Sequence, residues 1–323
     1  MKISQVFLQY NYGGTERIID FLSKILNSKN NECYSVFKYE GFQPSYLNTI
    51  IDPSYKSVKD SDLIIVHGGL LSSQDYLEPN IFNNISVIEI LHRLHKVKYI
   101  PQINYVAVSE KVKDIQDFEC KVIHNPILID DPKTNKIMQK QKLNIEQNSF
   151  VIGRHCRFAC EKNWGDFIYV CNYILKYCDN VSILITGNKN NNEVCSNLLE
   201  KWTKSNNRII LADWTNNPQE ILQCCDLYLE TSKNEAFSIA TCEAAKLKIP
   251  VISYVGILND VLKYYFVAKD RDEICYLILK IIEGSINRIF HVEKAHSYVC
   301  NNYSFKKIKS DYINYINQTV QKN

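Results

Sequence analysis

Glycine is scarce in this chain, ten residues in 323, roughly 3% where about 7% is usual. Those present must therefore sit where the backbone needs them. No apolar run reaches the ~18 residues that span a bilayer as a helix, and "MKISQVFLQYNYGG" is too short and polar for a secretory signal. The expectation is a cytoplasmic protein, with a contact to the inner face of a membrane allowed for. A large charge excess is lacking too: the formal net charge is +3, so a nucleic-acid partner is not demanded. Repeats and low-complexity tracts are absent, which excludes a solenoid. No Ser-His-Asp or Cys-His signature is evident, and "YNYGGTERII" lacks the third glycine of the dinucleotide fingerprint.

Cysteine, by contrast, is plentiful. Its twelve residues are scattered through apolar segments such as "ILQCCDLYL" and "FIYVCNYILKYC", the pattern of reduced thiols packed as small hydrophobes rather than of a disulfide scaffold. Cys156 and Cys160 lie beside His155, but no second ligand pair follows at zinc spacing. Residues 1–130 hold 13 Lys and Arg against 15 Asp and Glu, which leaves 25 of the 38 basic and 20 of the 35 acidic residues in the rest. A mild positive excess in the second part suits a phosphate-bearing ligand.

Short apolar runs alternate with helical patterns along the chain. "SQVFLQ", "YSVFKY", "DLIIVH", "SVIEILH" and "NYVAVS" read as strands of a first domain, with "GTERIIDFLSKIL" as its first crossover helix. "FVIGRH", "VSILITG", "RIILAD", "LYLET" and "PVISYV" read as strands of a second. Strand, helix, strand repeated twice over predicts two doubly wound parallel α/β domains. The polar, basic stretch "ILIDDPKTNKIMQKQKLNIEQNS" marks the junction. After Asp270 the pattern is helical to the end. Seven of the ten glycines, Gly13, Gly14, Gly68, Gly69, Gly153, Gly187 and Gly256, fall at or just past predicted strand ends. That is the edge where open parallel sheets bind ligands, though tight turns alone would also call for them.

The stretch "TSKNEAFSIATCEAAKLKIPVIS", residues 231–253, places Glu235 and Glu243 eight positions apart around the expected start of a helix. If 238–247 is helical, free N–H groups around Phe237, Ser238, Ile239 and Ala240 and the helix dipole make an anion site. At 1.5 Å per residue the two carboxylates lie up to about 12 Å apart. That span fits a sugar at one end, phosphates in the middle and a ribose at the other. It is too wide for the ~5 Å carboxylate pair of a retaining glycoside hydrolase.

In this stretch the sequence resembles the retaining glycosyltransferases of family 4, whose hallmark is two glutamates separated by seven residues, followed by Ala and later Pro-Val. Ala236 and Ser238 depart from it where glycines are common, and Lys246 and Lys248 replace the usual Ala and Gly of the helix end. "VIGRHCRFACEKNW" resembles the family's strand end carrying Arg and Lys, with Arg157 and Lys162 five apart. Such cations neutralise a departing diphosphate; a solvated basic loop is the plain alternative. Arg154 is a further candidate donor-binding cation. "YNYGGTERII" matches the glycine-rich turn before the first helix, which puts Gly13 and Gly14 toward the donor phosphates. Glu16 and Arg17 read equally well as an exposed first-turn charge pair. The resemblance implies that His92, after the strand "SVIEIL", contacts the transferred sugar, with His95 a poorer candidate and a structural histidine the other reading. It places Gly187 in the donor site, and Trp214 beside the nucleotide base or in ordinary packing.

The resemblance implies the GT-B fold: two Rossmann-like domains facing each other across a cleft, a first at 1–130 on the acceptor side, a second at 131–300 that binds the nucleotide-sugar, and a C-terminal helix at 301–323 crossing back onto the first. It implies transfer of a hexosyl or N-acetylhexosaminyl group, with retention, from a nucleotide-diphosphate sugar (UDP-sugar favoured) to a hydroxyl of a glycan or glycolipid acceptor, as in surface polysaccharide biosynthesis. No metal and no cofactor beyond the donor are expected. "DSD" at 60–62 and "DRD" at 270–272 are the pattern of metal-dependent transferases of the other major fold, but here they stand at a strand start and a helix start. Arg157, Lys162, Glu235 and His92 are the expected catalytic set. A non-catalytic nucleotide-sugar-binding protein of the same fold is the alternative.

Overall fold

The computed structural model describes residues 1–10, 13–41, 47–68, 84–187 and 192–321; Gly69 lies outside them. The chain divides into two compact units. One comprises Met1–Pro126 together with Phe305–Asn323, the other Ile127–Ser304.

The first unit is built on a parallel sheet of strands β1 (Lys2–Phe7), β2 (Glu32–Phe37), β3 (Thr49–Ile51), β4 (Leu63–His67), β5 (Ser86–Leu91), β6 (Ile103–Ala107) and β7 (Lys121–Val122). Their order in the sheet is β3-β2-β1-β4-β5-β6-β7. β4 and β5 are buried along their whole length, as the largely apolar strands of a parallel sheet covered on both faces are; Glu89 of β5 is buried among them. Helix α1 (Gly14–Leu26) buries Ile18, Ile19, Leu22, Ile25 and Leu26 at helical spacing. Helix α2 (Glu110–Asp114) is capped by Ser109, whose side chain accepts a hydrogen bond from the Val112 N–H. The terminal helix of the chain, Phe305–Val320, belongs to this unit: Phe21 of α1 meets Phe305 edge-on at 5.5 Å between ring centroids and lies 6.2 Å from Tyr312.

The second unit contains β8 (Phe150–His155), β9 (Val181–Thr186), β10 (Ile209–Ala212), β11 (Leu227–Glu230), β12 (Val251–Tyr254) and β13 (Phe266–Ala268), all parallel, in the order β10-β9-β8-β11-β12-β13. Its helices are α3 (Lys136–Lys142), α4 (Trp164–Tyr177), α5 (Glu193–Thr203), α6 (Pro218–Leu222), α7 (Ile239–Lys246), α8 (Arg271–Ile282) and α9 (Ile289–Asn302); the terminal helix is α10. One apolar core runs through the unit, from Phe158, Trp164 and Phe167 to Ile274 and Ile278.

The basic stretch expected to mark the junction is folded onto this second unit. Thr134 donates to Glu220, Lys136 pairs with Asp226 at 2.6 Å, and the buried Lys140 ammonium donates to the Ser149 carbonyl at 2.7 Å. Both sheets change winding direction at one place, between β1 and β4 in the first and between β8 and β11 in the second. The crevice outside the carboxyl ends of the strands at such a point is where open α/β sheets bind ligands.

Candidate active site

At the switch point of the second unit, the loop after β8 carries Lys162 and the loop after β11 carries Glu235. Three groups lace the loops together. Arg154, at the end of β8, donates through Nη2 to the Lys162 carbonyl at 2.6 Å. Thr231 Oγ1 reaches the carbonyls of Lys162 and Asn163 at 3.3 and 3.2 Å, and the Lys233 N–H donates to the Glu161 carbonyl. On this support the Lys162 ammonium pairs directly with the Glu235 carboxylate. The two side chains are only 12% and 10% exposed. Burial alone would lower the Lys162 pKa, but Glu235 and then Glu230 outweigh it and hold it above the ordinary lysine value. It is a cation at any physiological pH.

Glu230, the last residue of β11, organises the floor of the site. Its carboxylate accepts from Arg154 Nη2 at 3.0 Å, from the Ser232 N–H at 2.8 Å and, more distantly, from Ser238 Oγ and Thr241 Oγ1. Burial would raise its pKa, but Arg154 and Lys162 with the Ser232 hydrogen bonds bring it below the usual value. The "LYLETS" run signals this residue only as an acidic end to an apolar strand, too weak a mark to single it out in the sequence.

Helix α7 starts at Ile239, one residue later than expected, so the free N–H groups of its first turn belong to Ile239, Ala240 and Thr241; that of Cys242 already donates to the Ser238 carbonyl. No acidic side chain stands in this first turn. Ser238 precedes the helix with φ +56, the left-handed region that favours glycine. Lys248, just past the helix, has φ +60. Both positions are glycine in the pattern this sequence resembles, and the backbone supplies the reason. Ser238 is held by Glu230 and by a 2.6 Å hydrogen bond with Thr241. Lys246 donates to the carbonyls of Ile127 and Ile129, so it fastens the start of the unit besides ending the helix.

Several expected donor contacts sit differently. The expectation that Arg154 is a donor-binding cation is corrected by its burial. It is wholly inaccessible and lies over Trp164 and Phe167, 4.7 and 5.2 Å from the ring centroids. Its N–H groups go inward, to Thr231, Lys162, Glu230 and Ser232, so it is a bolt beneath the site. Arg157 is exposed and pairs with Glu161 four residues on; Lys162 faces Glu235 instead. Phe237 turns its ring into the core, edge-on to Tyr303 at 5.0 Å, and offers a ligand only its backbone. Ala236 and Ile239 are half-buried. Glu243 is fully buried in the second turn of α7. A Cβ on Gly187 would stand 1.8 Å from the Cys156 carbonyl, so glycine is required there for the loops after β8 and β9 to pack. Trp214 is half-buried in the loop after β10. The two acidic motifs do boundary work: Asp62 accepts from the Lys2 N–H, and Asp270 caps α8 through the Glu273 N–H.

At the switch point of the first unit, His67 ends β4 and His92 follows β5. His67 Nδ1 lies 3.1 Å from His92 Nε2, and His67 Nε2 lies 3.1 Å from Gln5 Oε1 on β1. Burial pushes the His67 pKa well below its ordinary value, with His92 adding to it; burial and then Arg93 bring His92 down to about 3. Both rings are neutral. His95 is exposed. Gly13 precedes α1 in extended conformation, and Gly14 is its first residue.

Residues 135–283, just under half the chain, match the model of the glycosyl transferases group 1. No curated protein matches the chain by sequence. Among solved structures, HepE of Anabaena in complex with UDP-glucose is similar over 98% of this chain and 100% of its own, with TM-score 0.79 and 15% identity. Sucrose-phosphate synthase of Thermosynechococcus elongatus matches over 100% of both chains, with TM-score 0.75 and 10% identity. WaaG, a glycosyltransferase involved in lipopolysaccharide biosynthesis, covers 96% of this chain and 98% of its own, with TM-score 0.72 and 11% identity. The fold is GT-B: two parallel-sheet Rossmann-like units and a C-terminal helix. The Lys162 and Glu235 loops and all of α7 lie inside the matched segment.

Proposed function

We propose that this protein is a retaining glycosyltransferase of family 4. It would move a hexosyl or N-acetylhexosaminyl group from a nucleotide-diphosphate sugar to a hydroxyl of a glycan or glycolipid. The observation that carries the proposal is the Lys162–Glu235 pair, supported from beneath by Arg154 and Glu230 and set beside the open amino end of α7 at the sheet's switch point. A UDP-sugar is the favoured donor, since HepE was solved with UDP-glucose and the fold is shared. A polysaccharide or glycolipid acceptor is in keeping with WaaG, and a peripheral membrane contact would follow from a lipid-linked one.

In this reading the diphosphate lies on the first-turn N–H groups of α7, and Lys162 takes up negative charge as the glycosidic phosphate bond breaks. Arg157, exposed where Arg154 is buried, swings from Glu161 to the same phosphates. Glu235 accepts hydrogen bonds from sugar hydroxyls and Trp214 borders the base; Glu243, fully buried like Arg154, is not a ligand contact. His92 contacts the transferred sugar. The acceptor oxygen bonds to the anomeric carbon on the face from which the diphosphate departs, and the diphosphate takes the acceptor's proton, so neither a protein base nor a carboxylate nucleophile is needed; Lys162, Arg157 and the α7 amides do the charge neutralisation that a metal would otherwise supply. Nucleotide release from a panel of UDP-, GDP- and ADP-sugars tests this, with broad acceptors and with and without chelator. Release from one donor class, kept under chelation and lost in Lys162→Ala, is expected; no release from any donor would refute it.

A further inference from the structure

The two histidines at the switch point of the first unit are part of a hydrogen-bonded chain whose proton positions can be deduced. Gln5 sets them. Its Nε2 lies 3.1 Å from the Ile19 carbonyl, an acceptor only, and 2.7 Å from Ser23 Oγ, with Cys33 Sγ at 3.5 Å. The amide must therefore point its NH2 group toward α1, which leaves Oε1 facing His67. A carbonyl oxygen accepts and cannot donate, so His67 Nε2 carries the proton. In a neutral ring the other nitrogen is then bare, and His67 Nδ1 accepts from His92 Nε2–H across 3.1 Å. His92, also neutral, is left with a bare Nδ1. No described residue hydrogen-bonds to that atom. Gln5 and His67 are both inaccessible, at 1% and 0%, while His92 is partly exposed, so the chain runs outward from the sheet interior.

The geometry points to Gln5 and His67 as positioning residues that lock His92 in its Nε2–H form, so that its Nδ1 is a hydrogen-bond acceptor for a hydroxyl of the bound sugar. This rests on the reading of His92 as a sugar contact and deepens it. His92 selects a hydroxyl donor, and it neither supplies a proton nor carries charge. The inventory for the lock is complete within three strands: β1 gives Gln5, β4 gives His67, and β5 leads into His92.

Two-bond 1H–15N correlation spectra of the histidine side chains test this in the full-length protein at neutral pH, with the His92 signals assigned by their loss in His92→Gln. The wild type is expected to show a protonated Nε2 and a bare Nδ1 at His92. His67→Leu removes the acceptor, so signal from the Nδ1–H form should appear. His67→Asn places an amide oxygen near the position of Nδ1 and should restore the wild-type pattern. UDP-sugar turnover should fall roughly tenfold in His67→Leu, about one hydrogen bond's worth, and recover in His67→Asn. A protonated Nδ1 at His92 in the wild type, or an unchanged spectrum in His67→Leu, would overturn the proposal. Should His67→Leu fail to fold, the wild-type spectrum and that of His67→Asn decide by the same criteria. Absence of turnover with every donor would refute the transferase reading while leaving the spectra to judge the lock.

Discussion

Lys162 and Arg157 stand five residues apart and look equivalent as a sequence pattern, yet their surroundings differ enough to predict unequal roles. Lys162 is 12% exposed and faces Glu235; Arg157 is 48% exposed and holds Glu161 at the surface. A unit charge about 4 Å from a developing phosphate charge contributes about 4 kcal/mol where the effective dielectric constant is ~20, and about 1 kcal/mol in bulk water. Lys162 belongs near the first limit. Its removal should slow turnover by about 10²–10³, the range found for losing one preorganised donor. Arg157 must leave its partner and cross solvent to act, so Arg157→Ala should cost about fivefold to tenfold. Lys162→Arg keeps the charge in a larger, forked group and should recover only part of the rate. Initial rates of nucleotide release, with the donor found by screening, measure all three variants. If Lys162→Ala keeps more than a tenth of the activity, or if Arg157→Ala is the more damaging change, burial is the wrong guide to the catalytic cation.

Arg154→Met should leave Glu230 as an unpaired buried carboxylate and cost about 3–5 kcal/mol, read as a loss of about 6–20 °C in the melting transition of the second unit; an unchanged transition would refute its role as a bolt. Ser238→Gly relieves a left-handed backbone worth about 1–2 kcal/mol and should offset the lost hydroxyl contacts, whereas Ser238→Ala keeps the strain and loses them. Ser238→Gly melting below Ser238→Ala would contradict the assignment of strain. Acidification should destabilise the first unit between about pH 6.5 and 4. The folded-state pKa values of His67 and His92 lie below the ordinary one, so the unfolded chain takes up more protons there and stability falls as pH falls. Each buried histidine contributes up to about 1.4 kcal/mol per pH unit. Urea midpoints flat from pH 7 to 4, or unaltered in slope by His67→Asn, would count against it. In Glu235→Gln, UDP should bind more tightly and the UDP-sugar more weakly, since the carboxylate that neutralises Lys162 is gone; calorimetric titration with both ligands distinguishes this from a general loss of the site.

Every strand that forms the middle of either sheet was legible, because parallel strands covered on both faces are mostly apolar runs, and "DLIIVH" and, but for the buried Glu89, "SVIEIL" are such runs. The strands not foreseen are the three-residue β3 and β13 and the two-residue β7, all toward the sheet edges. They are too short to carry a period, and each is specified by its neighbour, as Phe37 pairs with Ile51. The polar stretch 127–149 begins at the boundary between the two units, but it is not a free linker. Its polarity marks a solvated surface, but Lys136, Lys140 and Thr134 spend their polar groups on Asp226, Ser149 and Glu220 of the unit they precede. Composition records that a segment is polar without recording to what it is bound.

The site was legible where chemistry needs a residue at a loop and illegible where it needs one beneath. Glu235 and Lys162 follow strand ends, and their spacing shows in sequence. The distinction between Arg154 and Arg157 does not, because it depends on which guanidinium the adjacent strand meets. β11 pairs with β8 so that Tyr228 stands opposite Gly153, and past this pairing the Arg154 guanidinium meets the Glu230 carboxylate at 3.0 Å. A buried carboxylate there demands a buried cation, and Arg154 is in place while Arg157, three residues on, has already left the sheet. The charge balance follows. Arg154 neutralises Glu230, and Glu235 neutralises Lys162, so the site by itself is close to neutral and stable without a ligand. A diphosphate alone would have to compete with Glu235 for Lys162. On the proposed reading, a diphosphate bearing a sugar would compensate Glu235 with hydroxyls as it takes the ammonium, so the arrangement would favour the intact donor over the nucleotide left behind, the order of affinities that turnover needs.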